Sequence, residues 1–340
     1  MRVHRSIALG GRALGRVVCA LGALGVLAVA LAAGCAGIIG ARSLRTAAPG
    51  ATTFHTLRVD GRERSFLLHL PPRASATHRV PLLLAFHGYT GNANIEMETT
   101  NLNDVADSLG FAVAYPNGTG TLRYIGLTWN AATCCGSAER KHIDDVAFAR
   151  AIVDTLARTL PIDSTHVYAT GFSAGGMLAL LLACDARPFI AGVADVAGAM
   201  PDTVCAGTGR MPVLLVRGDS DQELRHDHLL HRLRNNHRYA VSFVGARQFW
   251  AARNGCGRGV SRDSTATYEL IVSRACPKGL DVEELIVRGQ AHAWPGGDRP
   301  WAFSPRPAPD VDASTVIARF FADERQAGAK VSAGHGAGPP

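Results

Sequence analysis

Gly171-Phe172-Ser173-Ala174-Gly175 sets a serine between two glycines, and the segments on either side say what that spacing serves. His166–Thr170 reads as a buried β-strand, and Gly176–Ala183 is rich in helix formers with no β-branched residue. A serine on a sharp strand-to-helix turn has its hydroxyl pushed out over the sheet edge. Glycine at both flanks relieves the backbone crowding of such a turn. The helix that follows aims its first N–H groups at any anion that forms there. The chemistry is nucleophilic attack by Ser173 on a carbonyl carbon.

A serine hydroxyl is a weak nucleophile without a base, and the base needs an orienting acid. On an elbow of this kind the partners follow in the order Ser, Asp, His, each after a later strand. Met211–Val216 is an apolar strand ending in Arg217-Gly218-Asp219-Ser220-Asp221, and Glu284–Val287 is another, followed by Arg288-Gly289-Gln290-Ala291-His292. His292, in a Gly-flanked loop after the last strand, is the candidate base. Asp219 and Asp221 compete for the acid. The G-x-x-D spacing lets the loop turn back toward the histidine and favours Asp221, while Asp219 suits Asx-type bonds that tie the turn.

The tetrahedral oxyanion needs donors. Val80–Phe86 is an early buried strand running into His87-Gly88-Tyr89-Thr90-Gly91. The H-G segment there is suited to supply one backbone N–H, from Tyr89, and the residue after the nucleophile, Ala174, supplies the other.

The elements that must position these residues alternate. Strand-like runs at Val80–Phe86, Ala112–Tyr115, Val167–Thr170, Gly192–Val196, Val213–Val216 and Leu285–Val287 are interleaved with helical stretches. Helices are expected at Asn103–Leu109, Asp145–Thr159, Ala174–Ala183, Phe243–Asn254 and Ala313–Ala322. This pattern predicts a doubly wound, mostly parallel sheet with helices on both faces. Phe54–Val59 and Ser65–Leu70 predict an opening hairpin around Asp60-Gly61. A 47% apolar fraction is ample for such a core.

From about His87 to Phe321 the chain carries further motifs: Tyr115-Pro116-Asn117-Gly118-Thr119-Gly120, Trp129-Asn130 followed by Cys134-Cys135-Gly136, and Asp144-Asp145-Val146. It also carries Leu182-Ala183-Cys184-Asp185, Asn254-Gly255-Cys256 after Trp250, and His292-Ala293-Trp294-Pro295-Gly296-Gly297. With these it resembles the secreted polyhydroxybutyrate depolymerase and feruloyl esterase family of α/β-hydrolases, the LpqC-type esterases. The resemblance implies the α/β-hydrolase fold as a single domain over residues 53–325. It makes Ser173, Asp221 and His292 the triad, and it implies esters of short polyhydroxyacids or hydroxycinnamoyl and acetyl esters of polysaccharide as substrates, with no metal or organic cofactor. One departure concerns the pocket: the family commonly follows its acid with a Val-Pro-Tyr-like segment, where this chain reads Gln222-Glu223-Leu224-Arg225-His226-Asp227-His228.

Residues 1–40 read as a targeting leader. Arg2, Arg5, Arg12 and Arg16 precede the uncharged, Leu/Ala/Val-rich run Val17–Ala33. Leu31-Ala32-Ala33-Gly34-Cys35 is similar to a lipobox, in which Cys35 would be lipidated; conventional cleavage and an uncleaved anchor are the alternatives. Residues 41–52 would be a tether, and Gln326–Pro340 a disordered tail. Export is the expectation, with membrane contact only through the leader or a lipid. Four of the formal +7 charges are leader arginines, and no basic stripe suited to nucleic acid is evident.

Six cysteines follow the leader: Cys134, Cys135, Cys184, Cys205, Cys256 and Cys276. An even set in an exported domain predicts disulfides. Cys256 with Cys276 is the natural local pair, because Arg262–Tyr268 between them reads as a surface loop. The other four would make two bridges, with adjacent Cys134 and Cys135 reaching different elements. C-x-x-C spacing is absent, which argues against zinc. His226-Asp227-His228-Leu229-Leu230-His231, with His237 beyond, lacks the H-E-x-x-H pattern and reads as a solvated segment beside the site. Trp129 and Trp294, with His87, are candidates to contact substrate; the tryptophans would stack on an aryl or sugar group or else pack the loop bases.

These readings describe an exported serine esterase acting on an ester substrate, polymeric or small. An acyltransferase with a cell-envelope hydroxyl acceptor and a non-catalytic wall-polymer binder are the competing functions.

Overall fold

In the computed structural model of the chain, residues 48–132, 134, 136–201, 205, 207–223, 240–241 and 243–334 are described. They fall within one compact unit. The expected leader, the start of the tether, Cys35, Cys135 and the His-rich segment lie outside the described residues. Among the described residues no helix is long and apolar enough to cross a membrane.

The chain opens with β1 (Ala51–Val59) and β2 (Arg62–Leu70), an antiparallel hairpin whose turn is Asp60-Gly61, both at positive φ. Strand β3 (Val80–Phe86) leads through α1 (Ala93–Thr100) and α2 (Leu102–Leu109) to β4 (Ala112–Pro116). Next come α3 (Gly136–Arg140), α4 (Asp145–Thr159), β5 (Ile162–Phe172), α5 (Ala174–Ala183) and β6 (Gly192–Val196). Then follow β7 (Val213–Gly218), α6 (Phe243–Asn254), β8 (Val260–Ser264), β9 (Tyr268–Ser273), β10 (Val282–Val287) and α7 (Ala313–Gly334). A two-residue ladder joins Met200–Pro201 to Ala240–Val241.

The ten strands lie in the order β1-β2-β4-β3-β5-β6-β7-β10-β9-β8, and the six from β4 to β10 are mutually parallel. Side chains alternate along each central strand, so one sequence supplies two cores. Leu82, Leu84 and Phe86 pack on one face with Phe148 and Ile152 of α4 and Leu178 of α5. Leu83 and Ala85 pack on the other with Leu102 of α2 and Ile317 and Phe321 of α7. Each such buried Leu or Phe contributes roughly 1.5–3 kcal/mol. The doubly wound α/β architecture is as the residue pattern implies.

Three local readings need correction. Arg262–Tyr268 is not a loop. It spans the turn of the β8–β9 edge hairpin, where Arg262 and Glu269 form an exposed ion pair; charge on an edge strand hides its strand character. A helix with no sequence expectation behind it, α1, also follows Gly91; it is capped by Asn92, whose side chain accepts the Ile95 N–H at 3.0 Å. Finally, α7 runs to Gly334, through the first nine residues of the expected tail: Gln326, Ala327, Ala329 and Lys330 all favour helix, and one glycine does not end it. Likewise β1 begins at Ala51, inside the expected tether.

Candidate active site

Parallel strands end together, and the loops after β3, β5, β7 and β10 meet above one edge of the sheet. At the end of β5, Ser173 has φ 54° and ψ −117°, a conformation costly for a residue with a Cβ. The elbow is held by close backbone packing. A Cβ on Gly171 would come within 2.6 Å of the Phe86 carbonyl oxygen, and one on Gly175 within 1.9 Å of the same atom. The Ser173 N–H donates to the Val196 carbonyl at 2.8 Å, which locks the turn to β6.

His292 and Asp221 arrive from β10 and β7. His292 Nε2 lies 2.9 Å from Ser173 Oγ, and His292 Nδ1 lies 2.7 Å from Asp221 Oδ2. The carboxylate fixes the tautomer, with the proton on Nδ1 and the lone pair of Nε2 facing the serine. Asp221 is 3% exposed, and its Oδ1 accepts the Glu223 N–H at 2.9 Å. A hydroxyl, an imidazole and a buried carboxylate in one hydrogen-bonded row can move a proton off the hydroxyl.

Gln290 organises the histidine loop. Its side-chain amide donates to the carbonyls of Ala291 and Ala293, and its Oε1 accepts the Ala308 N–H at 2.6 Å. Nothing in its sequence context singled it out. Asp195 was equally silent. It is buried on β6 directly below the elbow, where a Cβ on Gly176 would meet its Oδ1 at 2.0 Å. On the neighbouring strands Arg217 pairs with Glu284 at 3.4 Å, and Arg247 pairs with the same carboxylate at 3.1 Å.

A cavity of about 260 Å³ opens beside Ser173 and His292. Tyr89, 54% exposed, stands at its edge, and Ala174 opens α5, so its N–H has no intrahelical acceptor. Trp294 lines the cavity but is otherwise buried, its Nε1 donating to Ser314 Oγ at 3.0 Å. His87 and Trp129 do not line it, which corrects their reading as substrate contacts. Both are fully buried, and the Trp129 indole donates to the His87 carbonyl at 2.8 Å. His87 Nε2 accepts the Gly118 N–H at 3.0 Å, so Nδ1 donates to the Gly88 carbonyl at 2.8 Å. Burial pushes this imidazole down to about 4. The pair fastens the loop that carries Tyr89.

Other motif residues prove architectural. Asp144 caps α4 through the Ala147 N–H, Asp145 pairs with buried Arg64 at 2.7 Å, and Asn117 Oδ1 accepts the Ala93 N–H at the start of α1. Cys256 pairs with Cys276, the expected bridge, and Cys184 pairs with Cys205. The second pairing corrects the expectation that Cys134 and Cys135 reach out to these two cysteines. Cys184 ends α5 and Cys205 lies between β6 and β7, 21 positions on, and the fold brings their Cα atoms to 4.6 Å. Among the described residues no cluster of His, Cys, Asp or Glu is arranged to hold a metal ion.

Residues 64–224 match the family described as Esterase PHB depolymerase. The "putative esterase NocK" of Nocardia uniformis subsp. tsuyamanensis is 33% identical over 80% of this chain and 82% of its own length. Feruloyl esterase B of Piromyces equi is 26% identical over 71% of this chain, which spans 44% of that protein. The solved acetyl xylan esterase of Aspergillus awamori superposes with a TM-score of 0.51 at 13% identity, over 71% of this chain and 94% of the other, a likeness of fold.

Proposed function

The chain belongs to the esterase PHB depolymerase family, and on that premise we propose that it hydrolyses carboxylic esters through Ser173, His292 and Asp221. The observation that carries the proposal is the continuous row from Ser173 Oγ through both imidazole nitrogens to Asp221, at 2.9 and 2.7 Å. Ser173 Oγ attacks the ester carbonyl carbon as its proton passes to His292 Nε2. The carbonyl oxygen becomes an oxyanion received by the N–H groups of Tyr89 and Ala174. The tetrahedral adduct collapses, the C–O bond to the alcohol breaks, and His292 returns its proton to the leaving oxygen. Water, deprotonated by the same imidazole, then attacks the acyl-serine and releases the acid. Asp221 keeps its charge throughout and stabilises the imidazolium that forms twice per cycle.

The substrates we infer are feruloyl or acetyl esters of polysaccharide and short polyhydroxyalkanoate esters, the classes named by the relatives. We also infer export, supported by the arginine-flanked apolar leader and by the disulfides at Cys184–Cys205 and Cys256–Cys276. The test is labelling with a fluorophosphonate, then turnover of p-nitrophenyl esters of rising chain length beside methyl ferulate. Stoichiometric labelling mapped to Ser173, with turnover of at least one ester, is the expected result. Labelling elsewhere, or none, would overturn the assignment.

A further inference from the structure

One wall of the cavity holds polar groups that the proposed chemistry does not use. Glu96 and Thr99 of α1, three residues apart and therefore on one helix face, both line it. Glu96 is 3% exposed, and its Oε1 has no hydrogen-bond partner; Thr99 Oγ1 is buried and likewise unpartnered. Two such groups are costly to bury unless something answers them. The wall is held in place: the Thr99 carbonyl accepts the Asp298 N–H at 2.8 Å, and the Thr100 carbonyl accepts the Ser314 hydroxyl at 2.5 Å. The helix end is thereby stitched to the loop that follows His292 and to the start of α7.

We propose that Glu96 and Thr99 are specificity-determining residues that hydrogen-bond a neutral hydroxyl group on the acyl part of the bound ester. Burial holds the Glu96 carboxyl well above the ordinary carboxylate range, which favours its protonated form. A protonated carboxyl and a threonine hydroxyl can each donate and accept, which is the complement of a hydroxyl and not of an anion or an alkyl chain. A site built to bond a substrate hydroxyl also rejects the analogue that lacks it, because its own polar groups are then left bare.

For its location beside the nucleophile this inference rests on the esterase reading, and the test keeps the two apart. The probes are methyl 3-hydroxybutyrate and methyl butyrate. The first readout is kcat/KM of the wild type, Glu96→Gln, Glu96→Leu and Thr99→Val proteins. The second is affinity of the same esters for Ser173→Ala protein, with and without Glu96→Leu, by ligand-observed NMR. The wild type should prefer the hydroxy ester about tenfold, mainly through KM, which corresponds to about 1.4 kcal/mol. Glu96→Gln should retain most of that preference. Glu96→Leu should erase it, lowering kcat/KM for methyl 3-hydroxybutyrate and raising that for methyl butyrate, and Thr99→Val should reduce it. An equal ratio in wild-type and Glu96→Leu proteins, in turnover or in affinity, would overturn the proposal. Absence of turnover of either ester would count against the esterase reading alone, since the affinity ratio still decides the role of Glu96.

Discussion

Asp219 Oδ1 accepts the Gly289 amide N–H at 2.7 Å, and this one bond ties the loop bearing Asp221 to the loop bearing His292. The Ser220 N–H reinforces it by donating to the Gln290 carbonyl at 3.1 Å. The two aspartates of Gly218-Asp219-Ser220-Asp221 therefore divide the work: one holds the loops together, the other faces the imidazole.

That division predicts unequal effects. Asp221→Ala should lower kcat by roughly 10⁴-fold, the scale on which an orienting carboxylate acts. Asp219→Ala removes one neutral N–H donor's partner at the surface and should cost about 0.5–1.5 kcal/mol of stability, with activity within tenfold. Kinetics of both variants at matched circular dichroism decide the matter, and the reverse order would reassign the acid.

Replacing the nucleophile has a sharper signature. Ser173→Ala should lose about four to six orders of magnitude in kcat while folding normally, because triad members act as a unit. The variant should also take up no fluorophosphonate. Retention of more than a few per cent of activity would remove Ser173 from the mechanism.

Gly175→Ala should behave differently, failing in folding before catalysis. The added methyl would sit 1.9 Å from the Phe86 carbonyl oxygen, and neither partner is a flexible side-chain end. Soluble yield and thermal midpoint should both drop, by at least the few kcal/mol typical of overpacking at a fixed backbone. A Gly175→Ala protein with an unchanged midpoint would show that the elbow is looser than its contacts imply.

Stability should depend on pH through two buried groups of opposite sign. Burial holds the Asp195 carboxyl up at about 7, against the pull of Arg217, the Gly198 N–H and the charge of His292. The folded protein thus keeps a proton that the unfolded chain loses near 3.8. The stability this confers is complete in acid and is lost as pH rises through about 7. His87, whose folded value is about 4 against 6.5, contributes above 6.5 and loses that contribution as pH falls. Denaturant midpoints at about pH 5 and about pH 7.5 should separate them. Relative to the wild type, Asp195→Asn should gain roughly 2–3 kcal/mol between the two conditions, at 1.36 kcal/mol per unit. A constant difference at both values would mean that Asp195 ionises normally.

The disulfide between Cys256 and Cys276 closes a separation of 20 residues. Replacing both by alanine should destabilise by roughly 3 kcal/mol on the loop-entropy estimate and leave kcat unaltered, since the bridge lies at the β8–β9 edge of the sheet. Non-reducing peptide maps should recover the linked peptides, and a free thiol at either position would contradict the pairing.

Much of this was legible in the residues because two strong local signals coincide. Short apolar runs such as Val80–Phe86 have the length of buried strands, and Gly171–Gly175 has the spacing that a tight strand-to-helix turn demands. Once the strands were placed, the ends of β7 and β10 located Asp221 and His292. The unread parts share a different physics. Glu96, Asp195 and Gln290 matter through burial and through neighbours that only the fold brings close, such as Arg217 beside Asp195 and Ala308 beside Gln290, and no window of sequence reports either. His87 and Trp129 misled for the converse reason. They sit beside chemically suggestive residues, yet packing turns both rings inward, where the indole and imidazole bond to backbone. The hairpin at Val260–Ser273 was hidden by the charges that keep an edge strand from aggregating.

The proposed reacting groups, Ser173, Asp221 and His292, hang from the ends of β5, β7 and β10, whereas Glu96 and Thr99 belong to a helix inserted after β3. Chemistry and appetite are thus written in separate stretches of the gene. Point changes in α1 can retune which acyl group is admitted while the proton relay stays untouched, and damage to the relay leaves the admitting surface intact. A lineage built this way can change diet by drift in one short helix, without first passing through a form that catalyses nothing.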